Sequence, residues 1–446
     1  MKNIDVLMIY EHKNRELENC ALLAAELERR GLTTKVFYNY TYPIRKNYEA
    51  KVIITPHLYN DWHLEFYTRN KKQNNRNAIS LQYEHVITEG DEDGINNPTG
   101  QAMNAQHIAW GDDQVRRYLE HGIQISHIHK TGCVSMDFMR AEFKGFFLSK
   151  HEVAEKLGID ENKEWVLFIS SFAFPAKTEE AAEPCFPDDK DAKEKAAFSI
   201  KSYNIIMEWL KAAANKYPDK LFIYRKHPKE KLSHEELALE KTLPNFKFIS
   251  DFTMRQWAVI CDKFYNWIST SQADIYFAHK SSFILRPVTI PREMDIPLFL
   301  DSENIKTKEL FLESLEKGGF YSTVPPEKMQ MYYSNQPNGK MAFEKIADLC
   351  EEMIGNPQMG CDYKFPRRGL LATFVKDLYD RCLYCYGKRF KAREKTINFF
   401  RKYKFSKTFA AKLEMLNQEL YGAEELYETY HLRFQKLLET IHSNGQ

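Results

Sequence analysis

Residues able to do chemistry recur where apolar runs of this chain stop. In the middle of the chain they are cations and hydroxyls. LFIYRKHP ends in Arg225, Lys226, His227 and Pro228, FKFISD ends in Ser250 and Asp251, and YNWISTS ends in Ser269, Thr270 and Ser271. Such a set suits an anion, most simply the phosphates of a nucleotide. Arg225 and His227 are two apart, so in a strand they face one side while Lys226 faces the other. Pro228 stops the strand at that point. A hydroxyl-rich turn ahead of a helix exposes free backbone N–H groups, and these with the helix dipole favour phosphate. Ordinary N-capping by Ser or Thr needs no ligand, and both readings stay open here. Ser281, followed by Ser282, is a second hydroxyl candidate.

Nearer the start the chemistry is that of carboxylates. Glu11, Asn14, Arg15 and Glu16 follow the first apolar run, Glu84 and His85 follow the fourth, and Asp137 follows the last in TGCVSMD. Loops at one edge of a parallel sheet would carry these groups to one cleft. Paired carboxylates there can serve as acid/base and nucleophile at an anomeric carbon. Taken singly, each also reads as a surface or capping residue.

The elements that must position these residues follow an alternating rhythm. Short apolar runs at Ile4 to Tyr10, Thr34 to Tyr38, Val52 to Thr55, Ala78 to Gln82, His107 to Trp110 and Ile125 to His129 read as buried parallel strands. LENCALLAAELERRG between the first two is a helix that Gly31 stops. A second series, WVLFISSF, LFIYR, FKFIS and YNWIS, repeats the pattern, and its sheet is expected to end near Pro291. The fold class is therefore α/β: two Rossmann-like domains with parallel sheets, at 1–147 and 148–355, and a helical extension at 356–446. The acidic stretch from Ala173 to Lys195 lacks regular ligand spacing and reads as a solvated loop rather than a metal site.

Bulk composition narrows the function classes. At 446 residues the chain exceeds one ordinary core, and with a net charge of +1 no global polyelectrolyte field marks it as a nucleic-acid protein, so no nucleic-acid partner is expected. Eight cysteines without framework spacing point to reduced thiols and a cytoplasmic setting, and Cys382 and Cys385 form a lone CxxC. The opening MKNIDVLMIY reads as a strand rather than a signal peptide, and no apolar run reaches the length of a membrane span. Between Lys364 and Lys407 there are 14 Lys or Arg against 3 Asp or Glu, interleaved with Phe and Tyr. That surface suits either anionic lipid headgroups or a helix packed with its basic face in water. No GxGxxG fingerprint or Walker loop is present, so neither a dinucleotide cofactor nor P-loop chemistry is expected.

DVLMIYEHKNRELENCALLAAELERRG, SLQYEH, TGCVSMDF, RKHP and ISTSQADIYFA, in this order within residues 4 to 290, resemble bacterial surface-carbohydrate biosynthesis proteins. These are similar in turn to the retaining β-Kdo transferases of capsule and O-antigen assembly. The resemblance implies a metal-independent, cofactor-free GT-B glycosyltransferase whose parallel sheets face a central cleft. The donor, a CMP-activated 2-keto acid such as Kdo, would bind mainly to the C-terminal domain. His227, Pro228, Ser269, Thr270 and Ser271 would then grip its phosphate, with Arg225, Lys226 and Ser281 beside them. The acceptor, a surface glycan or lipid-linked glycan, would lie on the N-terminal domain near Glu11, Asn14, Arg15 and His85, with Arg15 paired to the sugar's carboxylate. Double displacement would make Asp137 the nucleophile and Glu84 the acid/base. The chain departs from the relatives at TGCVSMD, where they carry Pro-Arg before the aspartate. The same motifs also look like CDP-polyol phosphotransferases of teichoic-acid synthesis, and a non-catalytic glycan-assembly component would keep the fold as well.

Overall fold

The computed structural model describes residues 2–69, 77–88, 96–172, 190–227, 230, 232–292, 295–300, 302–364, 378, 381, 384 and 407–443. Pro228, the CxxC cysteines, most of the acidic stretch and nearly all of the basic run lie outside them. The chain forms two compact units. The first comprises Met1–His85, Asp93–Asp137 and Tyr333–Gln446, and the second Val86–Glu92 and Phe138–Tyr332. Each is an α/β unit on a wholly parallel sheet, as the alternating sequence pattern requires.

In the first unit, β1 (Lys2–Tyr10), β2 (Thr34–Tyr38), β3 (Tyr48–Thr55), β4 (Ala78–Ser80), β5 (Gln106–Ala109) and β6 (Ile128–Lys130) pair in the order β2-β1-β3-β4-β5-β6. Residues 6–10 of β1 are all buried, which is the signature of a parallel strand covered on both faces. The helix Lys13–Arg29 follows, with every residue from Glu16 to Leu27 buried. It ends where Gly31 turns left-handed at φ 84°, and Leu32 N donates back to Leu27 O at 3.0 Å. Glu26 would be a buried unpaired charge there, but Arg29 and Arg30 both bond its carboxylate. Arg30 reaches on to Asp348 and Glu351, tying down the helix Ala342–Gly355.

The last helix, Ala423–Ser443, packs along the same Lys13–Arg29 helix. Phe434 and Leu438 are buried, and His431 Nε2 lies 3.0 Å from Glu28 Oε2. The C-terminal helices that the structure describes therefore belong to the first unit. No described helix is long and apolar enough to cross a membrane.

In the second unit, β7 (Glu164–Ile169), β8 (Lys220–Arg225), β9 (Phe246–Ile249), β10 (Lys263–Asn266) and β11 (Ser281–Ile284) pair in the order β11-β10-β7-β8-β9. Strand alternation splits the core in two. Phe222 and Tyr224 of β8 pack with Trp209, Phe246 and Tyr265, while Leu221 and Ile223 pack on the other face with Trp165 and Trp257. The side chain of Arg225 belongs by parity to the Trp257 face.

One turn sets a quantitative test. Gly132 sits at φ 91°, and a Cβ there would stand 2.9 Å from Asn335 Oδ1, whereas a Cβ on Gly158 at φ 64° would meet nothing within 4 Å. Gly158→Ala is expected to lose only the left-handed strain, about 1–2 kcal/mol. Gly132→Ala additionally displaces Asn335 from its bonds to both polar atoms of the Cys133 backbone, about 1 kcal/mol or more beyond that. Urea unfolding of the two variants measures the difference, and equal losses would show that Asn335 moves aside freely.

Candidate functional site

Chain order reverses between β1 and β3: from β1 the chain goes to β2 on one side and returns to β3 on the other. Ligands of open parallel sheets bind outside the carboxyl ends of the strands at such a point. Five titratable side chains meet there. Glu11 follows β1, Arg15 and Glu16 open the first helix, His57 follows β3, and Glu84 follows β4.

Glu16 is fully buried and accepts from Glu11 N at 2.7 Å. Its other oxygen accepts Arg15 Nε at 3.0 Å and Nη2 at 2.7 Å. The remaining terminal nitrogen of Arg15 bonds Glu84. Burial works against the charge of Arg15, but Glu16 and Glu84 outweigh it and hold the guanidinium above its ordinary pKa. Arg15 is thus already paired with two carboxylates, of which only the half-exposed Glu84 is open to displacement by a substrate anion.

Glu11 is the carboxylate left poised. Burial, and then the neighbouring Glu16, push its pKa above the ordinary range, with His12 and Arg15 opposing. Its Oε2 stands 3.4 Å from Nδ1 of His57. Burial, helped by nearby His63 and Arg15, lowers the His57 pKa to about 3, so its ring is neutral at physiological pH. His57 Nε2 in turn lies 3.2 Å from the Tyr67 hydroxyl, and Tyr59 stacks on the ring at 4.6 Å. A carboxylate with a raised pKa, backed by a neutral imidazole and a phenol, is a proton acceptor suited to a hydroxyl substrate.

The turn that delivers Glu84 is strained. Gln82 adopts φ 46°, a left-handed conformation that costs a side-chain residue energy. Its side chain is pinned by Tyr59 Oη at 3.2 Å, Glu84 N at 3.3 Å and Asn96 O at 3.0 Å. Sequence reasoning missed His57, Gln82 and Tyr59. The available signal was Pro56-His57 directly after the apolar run VIIT, the same kind of strand stop read at RKHP.

Three candidates of this unit take other places. His85 is buried, stacks on Trp110 at 4.2 Å, and accepts Trp110 N on Nδ1 at 3.2 Å. Burial and then Arg117 hold its pKa well below the ordinary value, so it is a neutral packing residue rather than an acceptor-binding one. Asn14 is exposed on the first turn of the helix. Asp137 is 2% exposed, and its carboxylate accepts Asn335 Nδ2 at 2.9 Å and Phe343 N at 3.0 Å. It caps the helix Ala342–Gly355 from far away in sequence. The nucleophile's role expected for Asp137 does not fit a carboxylate buried and bonded in this way.

The second sheet reverses order between β7 and β10. Arg225, at the end of β8, donates from Nη2 to Phe252 O at 3.1 Å. Burial lowers its pKa, and Asp274, in the short helix Gln272–Phe277 that follows the Ser269–Ser271 turn, opposes that shift. Arg225 and the hydroxyl turn thus both follow carboxyl ends of strands of this sheet, β8 and β10, with β7 between them. Ser269 Oγ accepts Ser271 N at 3.3 Å, Thr270 is exposed, and the Ser271 side chain makes no helix cap. The His227 backbone is held by buried Glu230, which accepts His227 N at 3.0 Å and Tyr224 Oη at 2.8 Å, while Lys226 Nζ donates to Glu230 O at 3.3 Å. Ser281 is not part of this group. It opens β11 at the opposite, amino-terminal edge, where its hydroxyl donates to Gly319 O at 2.7 Å and accepts Tyr321 N at 3.2 Å.

Three further residues near these strand ends escaped the sequence reading. Ser171 Oγ, Trp267 Nε1 and the Nε and Nη1 of Arg286 are buried with no hydrogen-bond partner among the described residues, as is Arg225 Nε. Arg286 keeps one bond, to Asp295 at 2.7 Å, and burial pushes its pKa down to about 10 against the pull of Asp295. These donors lie at or just past the ends of four strands, Trp267 on the Trp209 face of the sheet and Arg225 on the Trp257 face.

Among the described residues, Glu26, Glu344 and His442 bring possible metal-ligand atoms within 4.8 Å of one another. Two arginines already occupy Glu26, and Glu344 accepts Met341 N at 2.7 Å, so this grouping is an ion-pair network.

Asp137→Ala is expected to cost about 2 kcal/mol or more in urea unfolding, because it uncaps a helix, strands the buried Phe343 amide and removes one of the acceptors of Asn335 Nδ2. Any loss of turnover in this variant should follow the loss of folded protein. A stable variant with selectively abolished turnover would return Asp137 to the chemistry.

No protein-family model matches the chain, and no curated protein matches its sequence. Among solved structures it is similar to a putative UDP-N-acetylglucosamine 2-epimerase from Listeria monocytogenes, at 11% identity and TM-score 0.48 over 81% of this chain and 100% of that one. It is also similar to the UDP-GlcNAc 2-epimerase from Neisseria meningitidis bound to UDP-GlcNAc, at 14% identity and TM-score 0.47 over 79% and 100%. The wall teichoic acid polymerase TagF, as its H548A variant, matches at 12% identity and TM-score 0.49 over 79% of this chain and 89% of that one. Likenesses of this degree assign no chemistry to the chain.

Proposed function

We propose that this protein is a glycosyltransferase of the GT-B kind, transferring a sugar from a nucleotide-activated donor to a bacterial surface glycan or lipid-linked glycan. The observation that carries the reading is Glu11 at the switch point of the first sheet, its pKa raised and His57 behind it. In this reading Glu11 takes the proton of the acceptor hydroxyl as its oxygen bonds the anomeric carbon. The bond from that carbon to the phosphate oxygen breaks, and its electron pair leaves with the nucleotide. Within the second unit, Arg225, Arg286 and the Ser269–Ser271 turn are the groups suited to bind a nucleotide's phosphate, without calling on a metal or other cofactor. The sequence motifs favour a CMP-linked 2-keto acid such as Kdo as donor. A polyol phosphotransferase would use the same anion grip, but would place a phosphodiester in the product.

Glu11→Gln is expected to lower turnover by roughly 10²- to 10⁴-fold, the range of general base catalysis. Nucleotide binding, read as a thermal shift, should survive that change and weaken in Arg286→Gln. Because the folded pKa of Glu11 is raised, its charge opposes folding above its unfolded pKa, and Glu11→Gln should raise the melting temperature at pH 7. Assays with CMP-Kdo, CDP-polyols, UDP-sugars and GDP-sugars, with products analysed by mass spectrometry, identify the donor. Full turnover by Glu11→Gln would end the proposal, and a phosphodiester product would select the phosphotransferase.

A further inference from the structure

We propose that Glu419, in the C-terminal helix Lys407–Leu420, is a positioning residue that fixes the loop carrying Glu11. The inference rests on the reading of Glu11 as the base and adds a residue that no motif singles out.

The helix Lys13–Arg29 begins at His12, whose side chain caps nothing. Its first free amide, Lys13 N, instead donates to Glu419 Oε2 at 2.5 Å, and the other oxygen of Glu419 lies 3.5 Å from His12 Nδ1. The exchange runs both ways. Lys13 Nζ donates to Gln418 O and Tyr421 O, each at 2.8 Å, satisfying carbonyls at the end of the helix that carries Glu419. An amino terminus and a carboxyl terminus that lack local partners thus complete each other, and the charges of Glu419 and Lys13 each suit the dipole they meet.

Docking of the C-terminal segment does not need this contact. Phe434 and Leu438 bury apolar surface against the first unit, and His431 pairs with Glu28. A carboxylate only 8% exposed is a costly way to add adhesion, so its place beside His12 calls for another consequence. That consequence lies one residue away, at Glu11.

The groups near His12 are Glu419, Arg15, Glu16 and Glu11. The hydrogen bond His12 makes to the Glu419 carboxylate raises the His12 pKa against burial. The groups near Glu11 are Glu16, His12, Arg15, Glu84 and His57, and of these His12 and Arg15 favour its charged form. Glu419 therefore acts on Glu11 in two ways, by holding the loop and by favouring the charged form of His12 beside the base. Removing it should lower the His12 pKa and raise that of Glu11.

The test uses the full-length protein, with NMR titration of the His12 ring and the Glu11 carboxyl in wild type, Glu419→Ala and Glu419→Gln. The His12 midpoint is expected to fall in both variants, and the Glu11 midpoint to rise. In nucleotide-release assays the acid limb of the rate profile should move to higher pH. Glu419→Ala should lose roughly ten- to a hundredfold in kcat with KM for the donor nearly unchanged. Glu419→Gln keeps a cap acceptor and should regain much of kcat without regaining the pH profile. Unchanged titrations of both groups in either folded variant would overturn the inference. Shifted titrations in a protein that consumes no donor would leave Glu419 in its positioning role and remove the transferase reading instead.

Discussion

A charge buried at the root of the first helix governs the architecture of the first unit. Glu16 is out of contact with water, and an isolated carboxylate in that position is not tolerated. It is stable only because the Glu11 amide and two nitrogens of Arg15 converge on it. Those partners can reach it in few conformations of the loop after β1, so one buried group sets the path of Glu11, His12 and Arg15 together. Arg15 then extends to Glu84, which ties the loop after β1 to the loop after β4. The geometry of the candidate site is a consequence of satisfying Glu16.

The same requirement explains which parts were legible from sequence. Strands were legible because parallel strands covered on both faces must be apolar nearly throughout, as β1 and β8 are. Strand ends were legible for the same reason, and Glu11, Arg15, Glu84 and Arg225 were singled out by looking there. The end of the second sheet was blurred: β11 is only four residues, and Ser281, a hydroxyl candidate from sequence, opens that strand instead of following one.

Other roles depend on partners hundreds of positions away. Asp137 resembles any carboxylate after a short strand until Phe343 and Asn335 arrive to use it. His85 is adjacent to Glu84, but Trp110 and Arg117 turn it inward and keep it neutral. Glu419 lies in a helix with no motif at all. Hydrogen-bond satisfaction over long sequence separation has no local signature, whereas periodicity and turn chemistry do.

The second sheet carries the opposite kind of constraint. Arg225 and Arg286 are held in surroundings that disfavour their charge, and each retains buried N–H groups without a partner among the described residues. Such groups reduce the stability of the ligand-free fold. A sequence optimised for stability alone would fill these places with apolar side chains, as it does just before Arg286 at Ile284 and Leu285, both fully buried. An oxyanion bound only by the folded chain would satisfy such groups and stabilise the unit that held it. The first sheet's raised carboxylate carries the mirror-image penalty, being disfavoured in its charged form until a substrate proton reaches it.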